Sequence, residues 1–146
     1  MPIRQYRWLA VTTIALCLSG CVGIKPGESP SVQFSVDIPL KEAYQRAMEQ
    51  TQYCLVTHDK FPVISSMDPD EKQAQIQVVL DFRSAVVAQV DMRALGKERT
   101  EVDVIMSGVN VWNSTAVRAM QAAIQFGVPS CIDYFPNAEP AKTNKK

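Results

Sequence analysis

Strict alternation of apolar and polar residues marks the strands of this chain. From Val32 to Ile38, apolar residues occupy every second position, which is the period of a strand with one buried face. Four later segments are also predicted to be strands: 61–67, 74–82, 84–95 and 100–106. Pro62 marks the first of these as an edge strand or a strand start. The other three are long neighbours with short connections, which predicts an antiparallel meander.

Two segments follow helical spacing instead. Pro39 suits the first turn of a helix, and apolar residues then recur every three or four positions to about Tyr53. A second helix is expected to begin at a capping residue and to stop at Gly127, with Pro129 behind it. Its candidate caps are Asn113, Ser114 and Thr115. Its apolar stripe consists of Val117, Met120, Ala123 and Ile124.

The predicted element order is β-α-β-β-β-β-α. A one-sided sheet must cover its apolar face, and the two helices are the candidates to do so. We therefore predict an α+β fold in which both helices pack on one face of a mostly antiparallel sheet. This order is similar to the helix-grip domains of some outer-membrane assembly lipoproteins, a likeness that concerns element order alone.

The first twenty residues have a different pattern. Two arginines precede an apolar run over residues 8–18, which is shorter than the roughly 20 residues of a membrane-spanning helix and is typical of a secretory signal peptide. The run ends in Leu18-Ser19-Gly20-Cys21, which resembles the lipobox of bacterial lipoprotein precursors. The resemblance implies cleavage before Cys21 and fatty acid on its thiol and new amino group. The alternative is an ordinary secretory signal that is cut elsewhere.

The residue after the cysteine is Val22. In the enterobacterial sorting pattern that this resembles, a second residue other than Asp directs a lipoprotein to the outer membrane. The resemblance therefore implies an outer-membrane protein that faces the periplasm and is held by two or three acyl chains. Several chains anchor a protein stably, whereas a single chain binds only marginally.

Composition divides the chain into four parts. Residues 1–20 are the predicted signal peptide. Residues 21–30 are rich in Gly, Pro and Ser, which indicates a lipidated cysteine followed by a flexible tether. Residues 31–135 carry the periodic segments and form a single domain. Residues 136–146 have no apolar periodicity and are expected to be a disordered tail.

The four cysteines agree with an envelope protein. Cys17 lies in the predicted signal peptide and Cys21 is the predicted lipid site, which leaves Cys54 and Cys131. In an oxidising periplasm these two most simply form one disulfide, and a pair of buried thiols is the alternative. Two isolated cysteines and the single His58 lack the close spacing of a metal site, so neither a metal nor a cofactor is expected.

Charge and motifs argue against nucleic-acid binding and catalysis. Removal of Arg4 and Arg7 leaves 13 basic and 15 acidic residues, which is not the balance of a nucleic-acid-binding domain. His58 and Asp59 are adjacent in a loop and are most simply surface residues. The chain has no Gly-x-Ser-x-Gly motif, and we predict that it is not an enzyme.

The polar positions of the strands remain as candidate chemistry. They are expected to line the sheet face that the helices leave uncovered: Gln73, Gln75, Gln77, Gln89, Thr100, Glu101 and Asp103. Such a face can recognise a protein or a glycan, or it can be an ordinary solvent face.

Two functions remain in view. The first is a membrane-anchored, non-catalytic accessory or interaction protein, whose anchor raises its effective concentration near an envelope partner. The alternative is a periplasmic carrier of a small apolar ligand in a cavity between helices and sheet. The packing between helices and sheet discriminates between the two functions: a filled interior excludes the carrier, and a connected apolar pocket favours it. The side chains concerned are Phe34, Leu80, Val90, Val104, Met120 and Ile124.

Overall fold

Five strands and two helices make up the described part of the chain, which a computed structural model gives for residues 23–56, 61–80 and 85–132. The elements are β1 (Ser31–Val36), α1 (Leu40–Gln50), a π-helical turn (Thr51–Leu55), β2 (Val63–Met67), β3 (Gln73–Leu80), β4 (Ala85–Ala94), β5 (Thr100–Met106) and α2 (Ser114–Phe126). The predicted order and the α+β class are confirmed.

The strands form one antiparallel sheet in the order β1-β5-β4-β3-β2. Strands β3 to β5 form the predicted meander, and β2 pairs with β3 as an edge strand. The first strand pairs with the last, with Val32 opposite Val104. Because β1 and β2 lie at opposite edges, the segment that contains α1 must cross the sheet to join them.

Both helices cover the same face of the sheet. Ala43 and Ala47 of α1, and Met120 and Ile124 of α2, are buried in one hydrophobic cluster with the inward-facing strand residues. Five of the six side chains that discriminate between the two functions are buried in this cluster, and the sixth, Phe34, packs against it half-buried. Side chains therefore fill the space between the layers.

The helix ends show how local sequence sets the element bounds. Asn113 caps α2, because its Oδ1 accepts from the N–H groups of Thr115 at 3.0 Å and Ala116 at 3.1 Å. Gly127 ends α2 in the left-handed conformation, with φ 72°. The first α-helix ends at Gln50 rather than near Tyr53, and the chain continues as the wider π-helical turn. No helix of the described residues is long and apolar enough to cross a membrane.

The segment before β1 folds back onto the sheet. The Ile24 N–H donates to the Val86 carbonyl at 3.1 Å, and the Met106 N–H donates to the Pro30 carbonyl at 3.0 Å. Both contacts lie at the end of the sheet where β1, β2 and β4 begin, which we call the proximal end. The opposite, distal end carries the turns 68–72 and 95–99.

Candidate functional site

The outer face of the sheet, the one without helices, carries a polar row that crosses all five strands. Register pairs Gln33 with Asp103, Asp103 with Asp91, Asp91 with Gln75, and Gln75 with Ser66. Directly paired residues of antiparallel strands point to the same face and lie close enough to interact. The row therefore presents amide, carboxylate and hydroxyl groups side by side.

Hydrogen bonds fix the orientation of the amides around Asp91. Its Oδ1 accepts from Gln75 Nε2 at 2.7 Å, and its Oδ2 accepts from Gln89 Nε2 at 2.6 Å. The Oε1 of Gln89 in turn accepts from Gln77 Nε2 at 2.8 Å. One oxygen of the Asp91 carboxylate thus holds Gln75, and the other holds Gln89, which in turn holds Gln77.

The neighbouring carboxylates are in different electrostatic situations. Glu101 is paired with Arg93, whose Nε donates to Glu101 Oε2 at 3.2 Å and whose Nη2 donates to the same oxygen. Asp103 faces Asp91 across the strands, and within the described residues it has no hydrogen bond or ion pair of its own. Burial, then the Asp91 charge and then the Glu101 charge raise the pKa of Asp103. Like charges this close favour the protonated acid or a cationic neighbour.

A shallow depression of about 520 Å³ lies over this row. Its polar lining comprises Gln33, Ser66, Asp68, Gln73, Gln75, Asp91, Arg93, Glu101 and Asp103. Among the described residues, the lining contains no serine–histidine or cysteine–histidine pair that could form a nucleophile and its base. What it offers is a broad, oriented set of hydrogen-bonding groups with an acidic centre.

The structure confirms most of the outer-face residues and corrects one. Gln73, Gln75, Gln77, Gln89, Glu101 and Asp103 lie on the face expected for them. The prediction for Thr100 is wrong. Thr100 lies two residues before the buried Val102 in β5, so both side chains point to the same face, into the core. It is buried, and its Oγ1 donates to the Ile38 carbonyl at 2.9 Å. The depression adds Gln33, Ser66, Asp68, Asp91 and Arg93 to the expected set.

The predicted disulfide is confirmed. Cys54, in the π-helical turn, is bonded to Cys131, behind α2, with a Cα–Cα distance of 5.2 Å. It does not hold that segment alone. The buried Gln50 accepts from the Ser130 N–H at 2.8 Å and donates to the Ser130 carbonyl at 2.6 Å. This pair of hydrogen bonds, an amide clamp, was not predicted, although Gln50 lies three residues after Ala47 on the buried stripe of α1.

His58, Asp59 and the lipidation candidate Cys21 lie outside the described residues. In the turn 68–72, Asp70 pairs with Lys72 at 2.6 Å, and the Lys72 hydrogen bond lowers the pKa of Asp70. In the described part of the chain, no three metal-binding side chains come together.

Comparison with known proteins gives no family to which the chain can be assigned. No protein-family model matches it, and a search of curated proteins finds no significant similarity.

Proposed function

We propose that this chain is a lipid-anchored, non-catalytic accessory protein on the periplasmic side of the outer membrane, and that the outer sheet face is its recognition surface. The observation that carries the proposal is the contrast between the two faces of the sheet. One face is sealed by both helices, whereas the other presents a hydrogen-bonded row of amides and carboxylates to solvent.

The chemistry of this face favours a protein partner over a glycan. Among the residues that the structure describes, the lining of the depression contains no aromatic ring on which a sugar could stack. The described part of the lining contains four carboxylates, those of Asp68, Asp91, Glu101 and Asp103, and one guanidinium, that of Arg93, which already pairs with Glu101. A protein segment that carries lysine or arginine would complement the acidic centre, and such complementarity selects partners and orients them.

The lipid anchor supports this function by confinement. A partner in the same membrane meets a tethered domain at an effective concentration far above its bulk concentration, so the recognition face need not bind tightly on its own. The motivation for the anchor is the sequence Leu18-Ser19-Gly20-Cys21.

The carrier alternative receives no such support. The side chains that would have to line a ligand cavity pack against one another in the described core. The depressions over the outer sheet face and at the proximal end open at the surface.

In-cell photocrosslinking tests the proposal. A photoreactive amino acid is placed at Gln33, on the outer face, and in a matched variant at Gln45, an exposed glutamine of α1 on the helical layer. We expect a discrete crosslinked adduct from position 33 and none from position 45. The adduct should be lost in the variant Cys21→Ser, which should also leave the membrane fraction. A Cys21→Ser protein that stays in the membrane and forms the same adduct would refute the proposal.

A further inference from the structure

The anchoring position lies very close to a defined point of the fold. Ile24, the residue after Gly23, contacts Val86 at the proximal end, where the Ile24 N–H donates to the Val86 carbonyl at 3.1 Å. Cys21 is two peptide units from Gly23, and each unit spans about 3.8 Å, so the two Cα atoms cannot be more than about 8 Å apart. Acyl chains on Cys21 would therefore enter the bilayer beside the proximal end.

A tight hairpin projects from the same end of the domain. The Gly108 N–H donates to the Trp112 carbonyl at 2.8 Å, and the Trp112 N–H donates to the Val109 carbonyl at 3.1 Å. Asn110 at the turn is left-handed, with φ 53°. Trp112 points into the core, whereas Val109 and Val111 are 44% and 52% exposed. Trp112 thus packs the hairpin against the core, and Val109 and Val111 face outward.

Further exposed apolar side chains lie next to residues of a groove beside the hairpin. Val111 lines one groove together with Cys54 and Cys131. The residues next to these cysteines, Tyr53 and Ile132, are 61% and 63% exposed. Exposed apolar side chains thus adjoin residues that line this groove, and tyrosine is enriched where a protein meets the membrane–water interface.

The hairpin and the anchoring segment are neighbours in space. Gly23, Lys25 and Val109 line one depression at the proximal end. The charges of this segment balance, because Lys25 lies 4.0 Å from Glu28. The surface near the anchor therefore offers apolar area rather than net positive charge.

We propose that the proximal end is a second, non-covalent membrane contact, in which Val109 and Val111 insert into the lipid interface beside the acyl chains of Cys21. The inference rests on the proposed function, since it requires acylated Cys21. The partner of this apolar surface is a lipid bilayer and not a protein, because only two peptide units separate Cys21 from Gly23 and the acyl chains therefore hold the bilayer next to the proximal end. Contact at this end directs the strands away from the membrane and leaves the outer sheet face accessible to a partner.

Fluorescence quenching on the acylated full-length mature protein tests this inference. The protein is placed in vesicles of phosphatidylethanolamine and phosphatidylglycerol, and mass spectrometry first establishes acylation. An environment-sensitive label is attached to the variant Val111→Cys or to its matched control Leu95→Cys, whose parent residue is 46% exposed near the distal end. The disulfide and the acyl group leave the new thiol as the one reactive cysteine.

We expect a lipid-borne nitroxide to quench the label at position 111 and aqueous iodide to leave it bright, with the reverse at position 95. The quenching at position 111 should be unchanged at high salt, because the contact is apolar. If the protein is acylated and iodide quenches the label at position 111 as strongly as the label at position 95, the inference is overturned but the proposed function is not. A label shielded from both quenchers also overturns it, since a protein then covers the hairpin. An unacylated Cys21 overturns the proposed function as well.

Discussion

Gln50→Ala tests how the segment behind α2 is held in place. The side chain of Gln50 is 1% exposed, and both of its polar atoms bond to the backbone of Ser130. A buried hydrogen bond contributes about 1 kcal/mol net, and a buried group left without a partner costs about 1–3 kcal/mol. Truncation removes two hydrogen bonds and orphans the Ser130 N–H and carbonyl. We therefore expect the free energy of unfolding to fall by about 2–4 kcal/mol.

Urea unfolding of the acylated protein in detergent measures this loss. Of the two tryptophans in the sequence, Trp8 lies in the predicted signal peptide. The remaining one, Trp112, is buried, so its fluorescence reports the unfolding of the domain. The matched control is Gln52→Ala, the same substitution at an exposed position of the π-helical turn, and its effect should stay within about 0.5 kcal/mol.

A second variant separates hydrogen bonding from packing. Gln50→Glu keeps the size of the side chain but buries a carboxylate that cannot donate to the Ser130 carbonyl. Burial raises the pKa of such a group, so the defect should shrink as the pH falls and the protonated acid regains a donor. Stability of Gln50→Ala within 0.5 kcal/mol of the wild type, or a Gln50→Glu defect that does not depend on pH, would refute the clamp.

Three further predictions use the same unfolding measurement. Replacing Cys54 and Cys131 together by alanine should lower the free energy of unfolding by up to about 4.5 kcal/mol, because the chain-entropy model gives this value for their separation of 77 residues. A decrease of less than about 1 kcal/mol would contradict that model. Asp103→Asn should stabilise the domain at neutral pH by roughly 0.2–1 kcal/mol, because it removes a like charge opposite Asp91. Burial and neighbouring carboxylates raise the pKa of Asp103. The gain in stability should therefore be complete at a pH above the raised pKa and should vanish at a pH below the ordinary value of 3.8. A gain that persists at lower pH would contradict this electrostatic explanation. Asn113→Ala should cost about 1 kcal/mol by uncapping α2, whereas Asn113→Asp, which keeps an acceptor, should cost less.

The sequence by itself determined the local structure. Period-two alternation located β3, β4 and β5, because one residue in two must face the core whatever the partner strand is. Asn113 and Gly127 set the ends of α2 for equally local reasons, since a capping oxygen and a left-handed glycine act within one helical turn. Two unassigned cysteines in a predicted envelope protein were enough to predict the disulfide.

Only the tertiary structure decided which of these pieces meet. Alternation does not say which strand becomes the neighbour of β1, so the pairing of Gln33 with Asp103, and with it the polar row over five strands, had to come from the assembled sheet. The partner of the buried Gln50 also comes from far along the chain, because Ser130 follows it by 80 positions. The physical reason is the range of the interactions. Periodicity and capping are set by adjacent residues, whereas strand order and the partners of buried polar groups depend on segments far apart in the chain, which only the packed fold brings together.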